Sequence, residues 1–352
     1  MGRFSSAATL KNFPNALDCR KRLLLAIIAA LPLASCTRAE PSRAEFVLGT
    51  VCSITLFDQA NDRVYQEIFS RIREIENRMS VNISGTDIDR VNTAAGIEPV
   101  QVHDDVFMVI EQALSFAKLS GGAFDPAVGP LVSLWGVGRD NPRVPSPEEI
   151  DEVLPLINWR DVELDSVTRS VFLKRRGMAL DLGAIAKGYA ADEAAAIIKR
   201  AGIKRAIIDL GGNIITCGQK KNKKPWGVGI QNPHDIRGSY IGVVQTKEQT
   251  VVTSGVYERF IEADGRQYHH IFSPSHGYPA DNGLLSVTII ALNSMDADAL
   301  STAAFVLGYE KGMKMIEAFP DTEAVFVFED LSVRKTPGAN FSVTDESFVL
   351  VN

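Results

Sequence analysis

Asp298 and Thr302 stand four residues apart in the run N-S-M-D-A-D-A-L-S-T-A-A-F-V-L-G, residues 293–308. The run reads as a helix capped by Ser294, with Asp296 and Asp298 in its early turns and Gly308 closing it. On a helix that spacing sets a carboxylate and a hydroxyl on one face, a turn apart. Hard oxygens so placed, completed by backbone carbonyls and waters, suit a cation such as Mg²⁺. The same pattern also fits acids that complement the helix dipole beside a packed threonine.

Three other stretches carry candidate chemistry. In M-A-L-D-L-G-A-I-A-K-G-Y, residues 178–189, a short strand ends at Asp181 and a Gly-containing turn leads into a helix running to about Ala201. Lys187 falls in its first turns, where free N–H groups, the helix dipole and an ammonium together attract phosphate. The P-loop pattern is absent, and Asp181 as a helix cap with Lys187 on solvated surface is the competing reading. In G-G-A-F-D-P-A-V-G-P-L, residues 121–131, Asp125 before Pro126 is held extended. Phe124 and Asp125 could grip a planar ring and its polar edge, or simply form a packed connecting loop. In Y-H-H-I-F-S-P, residues 268–274, His269 and His270 on a strand face opposite sides, so at most one enters a given site.

The elements that position these groups alternate between strand and helix periods. Residues 46–57 read as a strand, followed by a helix from Asn61 or Asp62 with Val64, Ile68, Ile72, Ile75 and Met79 on one face. A second helix begins at Asp104 or Asp105 and stops at Ser120–Gly122. Residues 162–173 read as a hairpin. Strands follow at 205–210, 214–217, 226–230, 241–245, 250–253 and 285–292, then a helix at 309–319 and a strand at 323–328. A last strand is offered at 347–351. Hairpins mixed with helices indicate an α+β fold, with mixed or antiparallel sheets and packed helices, built as two intimate subdomains. The 352 residues are 45% hydrophobic and 23% charged with a net charge of −6, which marks a globular chain and gives nucleic-acid binding no support.

The N-terminus reads as a targeting segment. Arg20, Lys21 and Arg22 precede the apolar run 23–31, and L-A-S-C ends at Cys36. This is too short to span a membrane and has the layout of a secretory signal. Small residues ending in Cys resemble the bacterial lipobox, in which that Cys becomes the lipidated first residue; ordinary cleavage with an incidental Cys36 is the other reading. The organisation is then signal peptide 1–36, polar tether 37–45 and catalytic domain 46–352, exported and lipid-anchored through Cys36 at the periplasmic face of the inner membrane. Cys52 and Cys217 remain, as one bridge or as two buried thiols.

Six motifs in order carry a family resemblance: F-D-P-A-V-G-P-L from Phe124, L-D-L-G-A-I-A-K-G-Y from Leu180, D-L-G-G-N from Asp209, T-S-G-V-Y-E-R-F from Thr253, H-H-I-F-S-P from His269 and D-A-L-S-T from Asp298. Together they resemble the flavin transferases, the ApbE family of FAD:protein FMN transferases, over about residues 48–328. The resemblance implies an ApbE-like, T-fold-related architecture and a Mg²⁺-dependent enzyme. Such an enzyme splits FAD at the pyrophosphate, joins FMN to a threonine hydroxyl of an acceptor protein and releases AMP. It implies metal ligands at Asp298 and Thr302, with backbone oxygens at Ala184 and Ser301. It implies FAD contacts at Leu48, Ala123, Phe124, Asp125, Asp181, Lys187 and Ile271. The family histidine falls on His270, not His269, as the candidate base, with Lys187 sharing the phosphate charge. Implied acceptors are flavin-carrying subunits of membrane redox complexes, such as sodium-pumping NADH:quinone oxidoreductase, Rnf-type complexes or nitrous-oxide respiration regulators.

Two positions depart from the family pattern. Where the family often has M-S-x-Y, this chain has Met79-Ser80-Val81-Asn82, which removes an aromatic surface worth about 1 kcal/mol beside a flavin ring. The residue before the proline of the histidine motif is Ser273. The same residues would also serve an FAD pyrophosphatase using water, and a non-catalytic flavin-binding lipoprotein is a further alternative.

Overall fold

The strand formed by Leu284–Ala291 is buried at all eight positions, because a layer covers each of its faces. It belongs to a nine-stranded sheet whose order across the sheet is Ser42–Val47, Thr50–Leu56, Ala206–Leu210, Asn213–Cys217, Gln249–Gly255, Leu284–Ala291, Glu323–Phe328, Ser332–Lys335 and Val349–Leu350. Neighbours pair antiparallel, except for the last pair, which is parallel. This computed structural model describes residues 42–58, 62–139, 141–236 and 238–351. The expected signal segment 1–36, with Cys36, and the first part of the tether lie outside them.

Period-2 alternation separates the two layers. On Glu323–Phe328, Ala324 and Phe326 enter the core beneath the helices, while Val325 and Val327 enter a second core. The helical side is covered by Asp62–Met79, Ala186–Arg200 and Ser294–Leu307, whose Ile68, Ile72, Ala190, Ala194, Leu300 and Ala304 are buried against the strands. The opposite side is covered by a three-stranded sheet, Phe341–Val343, Tyr240–Thr246 and Trp226–Gln231, which contributes Phe341, Val244 and Val228. The architecture is α+β with antiparallel sheets, as the mixed periodicity predicts. A third cluster centres on Trp135, fully buried among Tyr268, Phe272 and Tyr278, with its Nε1 donating to the Gly277 carbonyl. It fixes the segment that follows His270. Among the described residues no helix is long and apolar enough to cross a membrane.

Several boundaries differ from the sequence reading. Residues 42–45, read as tether, belong to an edge strand; five of the six residues of Ser42–Val47 are exposed, so no burial pattern announces it. The single strand expected at 46–57 is a hairpin, turned by Leu48 and Gly49 with φ of 57° and 66°. No strand runs into Asp181; one bridge, Ala179 to Val128, stands in its place. Cys52 and Cys217 are both free. Cys52 lies opposite Leu210 and Cys217 opposite Ala206. That separation is about 13 Å along the strand, far beyond a disulfide's reach.

Candidate active site

Two helices cross at a glycine. A Cβ on Gly188 would stand 2.2 Å from the Ser294 carbonyl oxygen and 2.7 Å from Met295 Cα, so only a glycine lets Ala186–Arg200 approach Ser294–Leu307 this closely. Asp192, one turn further on, ties the crossing: its carboxylate accepts from the Ser294 and Met295 N–H groups at 2.8–3.0 Å. Burial pushes the Asp192 carboxyl up to about 6, against those hydrogen bonds. The cap of the second helix is Asn293, whose side chain accepts from Asp296 N. Ser294, expected as the cap, is the first helical residue; it is fully buried and its hydroxyl bonds Asn213 and Thr250.

The crossing brings the metal candidates together. Asp298 is 4% exposed. Its Oδ2 accepts from Gly188 N at 2.9 Å, and its Oδ1 faces the Lys187 ammonium at 3.5 Å. Lys187 Nζ also donates to the Gly183 carbonyl at 3.2 Å. Gly188 N would ordinarily reach the carbonyl four residues back, that of Ala184. Because it donates to Asp298 instead, the Ala184 carbonyl has no donor among the described residues. Thr302, half-buried one turn beyond Asp298, shares its hydroxyl with Ser254 Oγ at 3.1 Å. Ser254 Oγ also meets Ser301 Oγ at 2.8 Å, and Ser301 donates to the Asp298 carbonyl. Ser301 is buried mid-helix, and its hydroxyl supports this group from behind.

These donors fit Mg²⁺. They are hard oxygens: a carboxylate oxygen with no donor but an ammonium, an open carbonyl and a hydroxyl. No group of three or more His, Cys, Asp or Glu side chains suited to a metal exists among the described residues. A single carboxylate with neutral oxygens is the donor set of a cation that keeps waters and leans on substrate phosphates.

His269 ends the strand Arg266–His269, and His270 lies in the bend just past it, where the two side chains part. His269 is buried; its Nε2 pairs with the Ala280 carbonyl and its Nδ1 accepts from Ile271 N. His270 is half-buried, and its Nδ1 lies 3.1 Å from the Arg259 carbonyl. A carbonyl only accepts, so Nδ1 carries the proton and Nε2 keeps its lone pair. The surroundings hold the His270 imidazole far below its usual range: desolvation comes first, then the charges of Arg259, His269 and Lys187. His270 is therefore neutral at pH 7, as a base must be.

Phe124 does not offer its ring to a ligand. It is buried edge-on against Phe116, 6.3 Å between centroids, because the Gly121–Gly122 turn folds it into the helical core. Asp125 is buried too, with Oδ1 accepting from Ala127 N and Oδ2 from Trp159 N; burial lifts its carboxyl to about 6. The loop that includes Ala123 is thus pinned by its own acid. Asp181 is partly exposed, accepts from Gly183 N and shapes the turn that presents Gly183 and Ala184. Leu48 is half-buried at the hairpin turn, its N–H donating to Glu76, and Ile271 is buried behind His270. Gly188, Asp192 and Ser254 went unremarked as site-builders in the sequence, since each acts through a partner more than forty residues away.

Residues 48–326 match the ApbE family. The chain belongs to that family. Curated ApbE-family relatives named FAD:protein FMN transferase include one from Treponema pallidum (strain Nichols), 40% identical over 330 residues, covering 88% of this chain and 91% of the relative. Another, from Klebsiella pneumoniae (strain 342), is 36% identical over 308 residues, covering 87% and 95%. Among solved ApbE structures, that of Thermotoga maritima superposes with a TM-score of 0.76 at 34% identity, covering 88% of this chain and 97% of the other. The flavin transferase ApbE of Vibrio cholerae gives 0.74 at 26% identity, covering 88% and 98%.

Proposed function

We propose that this chain is an FAD:protein FMN transferase that moves the FMN half of FAD onto a threonine hydroxyl of an acceptor protein. The observation that carries the reading is the helix crossing at Gly188, which sets Lys187, the free face of Asp298 and the open Ala184 carbonyl in one place. Phosphoryl-type transfer needs position and charge neutralisation more than covalent chemistry from the protein. Lys187 provides a fixed ammonium for the pyrophosphate oxygens. Asp298, Thr302 and the Ala184 carbonyl would hold Mg²⁺, which when bound supplies Lewis-acid stabilisation of phosphate charge. His270 Nε2 takes the threonine proton as the threonine oxygen bonds to the FMN phosphorus. The bond from that phosphorus to the bridging oxygen breaks, and AMP departs with the oxygen.

Export and lipidation at Cys36 complete the proposal and would place the site outside the cytoplasm, where subunits of membrane redox complexes could serve as acceptors. Palmitate labelling that is equal in wild type and Cys36→Ala would refute the anchor. For the reaction, AMP release from FAD with Mg²⁺ is followed with and without an acceptor domain. Release that depends on the acceptor supports the transferase. Release at the same rate without it makes the chain a pyrophosphatase, and tight FAD binding with no release makes it a carrier.

A further inference from the structure

Arg259 is exposed in the turn between Gln249–Gly255 and Phe260–Ala263, and it touches the site in two ways. Its carbonyl accepts from His270 N and from His270 Nδ1, both at 3.1 Å. Its side chain lies between two glycine turns, at Gly49 and Gly138. Nη2 donates to the Gly49 carbonyl at 3.3 Å. A Cβ on Gly138 would sit 3.1 Å from Arg259 Cδ, so the opposite wall leaves room for the arginine by carrying no side chain. Among the described residues no carboxylate lies within 4.0 Å of this guanidinium. Apart from the bond to Gly49, its N–H donors have no acceptor among the described residues, and a guanidinium fork matches phosphate oxygens.

We propose that Arg259 grips an anionic phosphate oxygen of FAD with its guanidinium while its main-chain carbonyl positions His270. The proposal rests on the flavin-transferase reading and adds a second cation, on the side of the site that carries the base. One residue then couples seating of the phosphate to the orientation of the imidazole.

A side-chain substitution leaves the carbonyl in place, so it tests the phosphate grip and the charge felt by His270 without removing the hydrogen bonds that orient the imidazole. FAD and riboflavin binding are followed by flavin fluorescence in wild type, Arg259→Gln and Arg259→Lys. A lost hydrogen-bonded charge pair corresponds to a rise in the FAD Kd of about tenfold or more in Arg259→Gln. Riboflavin, which has no phosphate, is unaffected, and Arg259→Lys recovers part of the loss. The acid limb of the rate–pH profile moves upward in Arg259→Gln, because one of the three positive or ionisable neighbours of His270 (Arg259, His269 and Lys187) loses its charge. Equal weakening of FAD and riboflavin, no weakening at all, or a defect confined to the acceptor's KM would each overturn the proposal. So would an Arg259→Lys variant no better than Arg259→Gln. A wild type that binds FAD but flavinylates no acceptor would end the transferase reading, while the binding comparison would still decide Arg259.

Discussion

Replacing Gly188 with alanine should separate the two helices that build the site. The new methyl would stand 2.2 Å from the Ser294 carbonyl oxygen and 2.7 Å from Met295 Cα, both backbone atoms. Neither can swing away, because Asp192 holds the N–H groups of Ser294 and Met295. Restoring an ordinary 3.4 Å contact at the oxygen requires an opening of 3.4 − 2.2 = 1.2 Å. That movement breaks the 2.9 Å bond from Gly188 N to Asp298 Oδ2 and leaves a buried carboxylate oxygen without its donor. Overpacking of this kind costs about 1–3 kcal/mol, and the orphaned charge adds to it. A displacement near 1 Å in reacting groups lowers the rate by about 100-fold. Denaturant unfolding and FMN transfer under saturating Mg²⁺ read the two effects separately. A Gly188→Ala protein with wild-type stability and turnover would refute the claim that this crossing sets the geometry of Asp298 and Lys187.

Asp298→Asn keeps the shape and the Gly188 contact but removes the charge; transfer should fall by at least about 100-fold, and raising Mg²⁺ should recover only part of it. Near-normal transfer at low Mg²⁺ would place the metal elsewhere. His270→Gln should lower transfer by about 10²–10⁴-fold with little change in FAD affinity. Since the His270 pKa is depressed, the wild-type rate should stay flat as pH falls from 8 to 6 and decline only in stronger acid. Asp125 and Asp192 titrate near 6 in the folded chain against 3.8 unfolded. Between these values the folded state binds protons that the unfolded state has released, so their contribution to stability falls as pH rises through that window. Urea midpoints should reveal a component that strengthens from pH 7 to 5, absent from an Asp125→Asn, Asp192→Asn protein.

How far the sequence could reveal this arrangement depended on whether a signal was local. The helix through Asp298 and Thr302 and the strands at 206–210 and 284–291 follow from short-range periodicity, whereas His270 parts from His269 because it lies in a bend past the strand's end. The 42–47 strand escaped because it is an exposed edge with no alternation to read. Asn293 and Ser294 are both competent caps, and only burial of the Ser294 hydroxyl against Asn213 and Thr250 decides between them. Phe124 resembles a ligand platform beside Gly and Asp, yet Phe116, eight residues earlier on the preceding helix, claims its ring. Asp192 looks like an ordinary surface acid of a helix until the other helix supplies two N–H groups. The crossing at Gly188 had no signature in its own segment, since the atoms that exclude a side chain there belong to residues 294 and 295.

The most direct test mixes the protein from residue 37 with FAD, Mg²⁺ and a threonine-containing acceptor domain, then views the acceptor on a denaturing gel under ultraviolet light. A covalent flavin band that vanishes with EDTA, and with Asp298→Ala, is the expected result. A band that survives both treatments would contradict the metal-dependent site at the helix crossing. No band with any acceptor, alongside AMP release, would contradict the transferase itself.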